Sequence, residues 1–173
     1  MPLDRMFPES RLRDLAAAAG NGDIEAIDRL VREGVDVNGR GNRNATPLFW
    51  AMRDIQGFTR LLEHGADPNA VFDDGGNVML WAVRHRNQSY LIEALKHGGD
   101  PNIGAGIYGE PLIFEAMGPE GKNKAVVLLE SGANINARGH AQRTPMMKAA
   151  GLGQFDLVYE LLNRGADYTP KDL

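Results

Sequence analysis

The chain contains no cysteine. That absence removes disulfide frameworks, thiolate zinc sites, iron–sulfur clusters and cysteine nucleophiles, while leaving the redox compartment open. Long apolar runs are missing as well. The longest wholly apolar stretch, Val78 to Val83, is six residues, against the roughly 18 that a bilayer helix requires. No integral membrane segment is expected. The opening Met1-Pro2-Leu3-Asp4-Arg5 has no apolar core of the kind a secretory signal carries. Basic charge is scarce: 19 Lys and Arg against 23 Asp and Glu leave a net charge of −4. With no basic stripe, a nucleic-acid partner is not expected.

Glycine, by contrast, is plentiful and regularly placed. The phrase Gly65-Ala66-Asp67-Pro68-Asn69 recurs as Gly34-Val35-Asp36-Val37-Asn38, Gly98-Gly99-Asp100-Pro101-Asn102, Gly132-Ala133-Asn134-Ile135-Asn136 and Gly165-Ala166-Asp167-Tyr168-Thr169. Successive glycines are 31, 33, 34 and 33 residues apart. Five copies at nearly one period define a repeat array. In a chain of 173 residues, such an array accounts for a single domain.

Each unit has a physical logic. Thr46-Pro47 and Thr144-Pro145 place a hydroxyl N-cap before a proline at the first helical position, where its missing N–H costs nothing. A short apolar helix follows, then a turn and a second helix. The positions four and three before each glycine hold Leu30-Val31, Leu61-Leu62, Ala94-Leu95, Leu128-Leu129 and Leu161-Leu162. With Ile27, Phe58, Leu91, Ala125 and Val158 one turn earlier, they form an apolar stripe. The glycine then stops the helix in the left-handed conformation, and a polar segment such as Ala70 to Gly76 projects as a hairpin. One such pair cannot bury its stripe. Stacked pairs can, with Ala51, Ala82, Ala116 and Ala149 allowing close approach.

Thr46-Pro47-Leu48 and Gly65-Ala66-Asp67-Pro68-Asn69 resemble ankyrin repeats, and the likeness spans roughly residues 12 to 169. It implies an all-α solenoid of about five helix-turn-helix repeats with projecting hairpins. The expected division is a tail over 1–11 and one domain over 12–173, with units of about 12–45, 46–76, 77–109, 110–143 and 144–173. The histidine that follows Thr-Pro-Leu in the family is replaced by Phe49, Leu80, Ile113 or Met147. Asn77-Val78 and Glu110-Pro111 stand in for Thr-Pro. The second unit is short between its helices, so Asp54 to Gly57 is expected to be irregular. The first unit lacks Thr-Pro, as a terminal capping repeat does, and with the short tail Pro170 to Leu173 it argues against a module excised from a longer chain, whose ends would expose apolar faces.

Catalytic patterns are weak. Gly104-Ala105-Gly106-Ile107-Tyr108-Gly109 fits G-x-G-x-x-G, but falls in an inter-repeat hairpin and not between a strand and a helix. Ser10, Ser89 and Ser131 lie outside any nucleophile elbow. His64 and His97 occupy the same place in successive units, beside a helix C-terminus whose dipole favours a cation. No metal, cofactor or enzymatic activity is expected.

Binding residues are more legible. Trp50 and Trp81 occupy equivalent positions on adjacent first helices, with Phe114 and Lys148 next in the row. Tryptophan and arginine dominate interface hot spots. Arg53, Arg84 and His85 follow on the same helices, and the fingers add Arg43, Asp73, Asp74, Tyr108 and His140. In ankyrin-like stacks, first helices and fingers line the concave side. A five-unit stack would be about 40 Å long, ample for about 800 Å² of contact with a folded protein. The resemblance extends to stand-alone bacterial ankyrin proteins, some of them immunity proteins that neutralise effectors such as type VI secreted phospholipases. An inhibitor of that kind is the leading expectation. Its location would be periplasmic if an export signal precedes Met1 and cytoplasmic otherwise. A cytosolic regulator of another enzyme, such as a kinase, is the alternative.

Overall fold

The helix-stop glycines set the architecture. Gly34, Gly65, Gly98, Gly132 and Gly165 all have φ between 85° and 93°. This is backbone that a side chain rarely adopts. The residue after each one closes the helix by a bond back across its last turn: Val35, Ala66, Gly99, Ala133 and Ala166 donate their N–H to the carbonyls of Leu30, Leu61, Ala94, Leu128 and Leu161 at 2.8–3.1 Å. Five helices therefore end in the same way, and the chain leaves each in the same direction.

The computed structural model describes residues 1–106, 108–118 and 122–168. Among these, the chain forms α1 (Leu3–Met6), α2 (Ser10–Gly20), α3 (Ile24–Arg32), α4 (Pro47–Trp50), α5 (Ile55–Glu63), α6 (Val78–Arg84), α7 (Ser89–Lys96), α8 (Leu112–Glu115), α9 (Lys122–Glu130), α10 (Pro145–Gly151) and α11 (Phe155–Asn163). The pairs α2–α3, α4–α5, α6–α7, α8–α9 and α10–α11 are the five units. The solenoid architecture is thus present, with apolar side chains of adjacent units merged into one continuous core. Thr169 and the tail Pro170 to Leu173 lie outside the described residues, as does Ile107.

The first helices other than α8 start on side-chain caps. Thr46 and Thr144 accept from Phe49 N–H at 3.3 Å and Met147 N–H at 3.2 Å. Asn77 does the same for Leu80 at 2.7 Å and also donates to the Gly104 carbonyl at 2.9 Å. Its complete burial makes both bonds necessary. Asparagine at this position thus ties its own helix to the following hairpin, which threonine lacks the amide to do.

Units are clasped at the base of the hairpins. The Asn38 side-chain amide donates to Gly65 O and accepts from Asp67 N–H, at 3.0 and 2.8 Å. Asn69 repeats this with Gly98 and Asp100, and Asn102 with Gly132 and Asn134. Asn136 accepts from Asp167 N–H at 2.8 Å.

Two expectations are corrected. Residues 1–11 are not a free tail: α1 docks, Met6 and Phe7 are buried, and Asn42 donates to the Arg5 carbonyl at 2.7 Å. Apolar Met6 and Phe7 find a pocket against Ala45, Phe49 and Trp50. The stretch from Asp54 to Gly57 is regular. α4 passes into a 3₁₀ turn over Ala51–Arg53, and Asp54 caps α5 directly by accepting from Gln56 and Gly57 N–H at 2.9 Å. The two missing residues are absorbed by that tighter turn. The last unit exposes apolar surface: Phe155, Tyr159 and Leu162 on α11 are 73%, 68% and 41% accessible.

Candidate functional site

The row of first helices does not present four equal surface residues. Trp50 on α4 is half-buried. The Phe7 ring meets it edge-on at 6.4 Å, and the Arg53 guanidinium lies 3.5 Å over its face. Phe114 on α8 is buried at 3% accessible, which removes it from any contact surface. The correction has a clear cause. The Lys148 ammonium, 5.3 Å from the Phe114 ring, donates to the Phe114 carbonyl at 2.8 Å and covers the site from the next unit. Trp81 on α6 is the member left open, 43% accessible.

Around Trp81 the side chains enclose a cleft of about 530 Å³, lined by Phe49, Met52, Arg53, Arg84, His85 and Arg86 besides the indole. Its apolar floor is rigid. Phe49 packs between Phe72 of the second unit's finger, at 4.8 Å, and Trp81, at 5.7 Å. The same Phe49 replaces the family's histidine, so the substitution converts a bracing position into cleft floor. Met52 follows one helical turn later, and that i, i+3 spacing is the signal from which it could have been found.

The rim is cationic. Arg84 pairs with Glu115 at 2.8 Å, Arg53 donates to Trp50 O at 3.2 Å, and Arg86 is exposed. His85 is half-buried, with its ring 4.2 Å from Tyr90. Burial, followed by the charge of Asp54, pushes the Tyr90 hydroxyl above its ordinary range, so it stays neutral under the imidazole. The C-terminus of α6 is held by Lys124, whose ammonium donates to Val83 O and His85 O at 2.7 and 2.6 Å.

The remaining expected contact residues lie on the fingers. Arg43 has φ 60°, in the 3₁₀ turn Asn42–Asn44, and the equivalent turn His140–Gln142 has Ala141 at φ 56°. Both Arg43 and His140 are exposed. Asp73 donates its N–H to Arg43 O at 3.2 Å, and the Asp74 carboxylate accepts from Gly76 N–H at 2.9 Å, stiffening its own turn. Tyr108 is 86% accessible at the tip of the hairpin β1 (Gly104–Ala105) and β2 (Glu110–Pro111). The G-x-G-x-x-G stretch therefore begins on β1 and ends at Gly109, just before β2, a geometry that aims no helix N-terminus at a phosphate.

His64 and His97 face carboxyl or carbonyl oxygens of the scaffold. His64 Nε2 lies 2.7 Å from Asp28 Oδ1, and His97 Nδ1 lies 2.9 Å from Glu93 O. Asp28 also receives both arms of Arg60 at 2.7 Å. Those Arg60 bonds, then the His64 bond, hold the Asp28 carboxyl well below the usual carboxylate range. This cross-unit triad was not visible in the spacing, because Asp28 belongs to the preceding unit. Among the described residues no three His, Asp or Glu side chains group as a metal site, and no helix is long and apolar enough to cross a membrane.

A family model described as "Ankyrin repeats (3 copies)" matches residues 15–105, more than half of the chain. No curated protein matches it.

Proposed function

We propose, on the premise that this chain belongs to the ankyrin-repeat family, that it binds a folded protein through the cleft around Trp81 and the neighbouring fingers. Ankyrin repeats are in general non-catalytic modules for protein–protein interaction. One observation carries the placement of the interface: Trp81 is 43% accessible on the floor of a cleft between two units, while equivalent Phe114 is buried. An open tryptophan set among guanidiniums has the composition of an interface hot spot. We assign the protein to the inhibitors, which act by occupying their partner. The resemblance to bacterial immunity proteins makes an antibacterial effector enzyme the partner of choice.

The test is parallel affinity capture from the native host with wild type, Trp81→Ala, Arg84→Glu and a control, Ile92→Ala, on exposed α7. The expected result is one partner that wild type and Ile92→Ala retain and that both cleft variants lose at unchanged melting temperature. A partner held by Trp81→Ala but lost by Ile92→Ala would move the interface to the second helices. If the captured enzyme stays fully active in the complex, inhibition is wrong while binding stands.

A further inference from the structure

We infer that the cleft receives an acidic segment of the protein partner carrying one aromatic or branched apolar side chain. The apolar anchor enters over Phe49, Met52 and Trp81, and flanking carboxylates bind the guanidiniums of the rim. This inference rests on the protein-binding role of the same cleft.

Charge complementarity carries it. The protein as a whole is net −4, yet three arginines and a histidine line this one opening. Their local carboxylates are already committed. Glu115 offsets Arg84, which leaves Arg53 and Arg86 without an ion pair among the described residues, and Asp54 is engaged in capping α5. Arg86 has no ion-pair partner among the described residues, and the Trp81 indole N–H has no acceptor there. Guanidinium forks match carboxylates in geometry, and an indole N–H facing an interface needs an acceptor. Two other openings differ. In the one beside Ile55, Arg60 is saturated by Asp28 and Glu63. In the one beside Val35, Arg11 is taken by Glu33.

A phosphate backbone is the competing polyanion. Asp73 and Asp74 stand exposed on the adjoining finger, where they repel an extended nucleic acid but leave room for a short acidic stretch with an apolar centre.

The experiment titrates the full chain with three acetylated octapeptides, GEDLFDEG, its amide analogue GQNLFNQG and its basic counterpart GKKLFKKG, monitored by tryptophan fluorescence. The acidic peptide should bind at least about tenfold more tightly than the amide analogue at low salt, and the gap should close near about 0.5 M NaCl. Arg86→Glu, which breaks no internal pair, should abolish the preference, and Trp81→Ala should remove the response that Trp50→Phe retains. Equal binding of acidic and amide peptides, no binding of either, tighter binding of the basic peptide, or tighter binding of a 20-nucleotide thymidine oligomer would each overturn the inference. Failure here is separable from failure of the binding role. A captured partner lost by Trp81→Ala but indifferent to Arg86→Glu and to salt would sink the acidic segment alone.

Discussion

The two ends of the stack treat the same kind of apolar stripe in opposite ways. At the first unit, α1 folds back, Phe7 is fully buried, and the Gly41 turn comes close enough that an added Cβ would meet the Phe7 ring at 2.6 Å. At the last unit, α11 carries Phe155, Tyr159 and Leu162 at four- and three-residue spacing with nothing over them among the described residues. Leu62 and Leu162 hold one position in the repeat, three residues before the stop glycine, yet they are 3% and 41% accessible. Residue type does not decide burial here. A following unit does, because in a linear stack each face is covered only by its neighbour.

That contrast can be broken by substitution. The largest effect is expected from Phe7→Ala, about 3–5 kcal/mol of lost stability, while Phe155→Ala should stay within about 0.5 kcal/mol. Urea unfolding followed by circular dichroism measures both, and equal losses would mean that the two ends are equally closed. Leu62→Ala should cost about 2–4 kcal/mol as a buried truncation. Its repeat counterpart Leu162→Ala should cost less than about 1 kcal/mol, as at an exposed site.

Backbone proximity sharpens the comparison further. Gly57 starts α5 against α2, and a Cβ there would run into the Ala19 carbonyl, with its carbon only 2.7 Å away. Gly57→Ala is therefore expected to cost about 1–3 kcal/mol. Gly151, at the end of α10, has open space around it and negative φ. There Gly151→Ala should be neutral or stabilising by up to about 1 kcal/mol.

The smallest effect is in pH dependence. Asp28 has its pKa lowered by Arg60 and His64, so the folded state holds its proton more weakly than the unfolded chain. The associated stability is fully present above the unfolded value of about 4 and falls away as pH drops below it. Melting temperatures between pH 6 and pH 3 should fall less steeply in Asp28→Asn than in wild type. A parallel decline would show that the triad contributes nothing to acid sensitivity.

Much of the fold could be read from the chain because its determinants are local. Each stop glycine, each Thr-Pro cap and each stripe is set within one unit, and all five helix stops occur where the spacing puts them. The docking of Met6 and Phe7 escaped, since their pocket is made by Ala45 and Trp50, some forty residues on. The exposure of the candidate row was half legible for the same reason. Equivalence along the repeat located Trp81, but Phe114 is closed by Lys148 from the next unit and Trp50 by Phe7 and Arg53. Such closures depend on which long side chain happens to reach across a joint. Phe49 and Met52 were overlooked because apolar residues on a short helix ordinarily signal core.

The asparagine clasps have a mechanical corollary. Each bridges a single joint, so a pull on the two ends loads them in series rather than together. Asn38, Asn69 and Asn102 grip the next unit through two bonds, and at the final joint Asn136 accepts from Asp167 N–H while Lys148, Gln154 and Arg164 reach back to Phe114, Gly118 and Glu130. Under tension the units would separate one joint at a time rather than all at once.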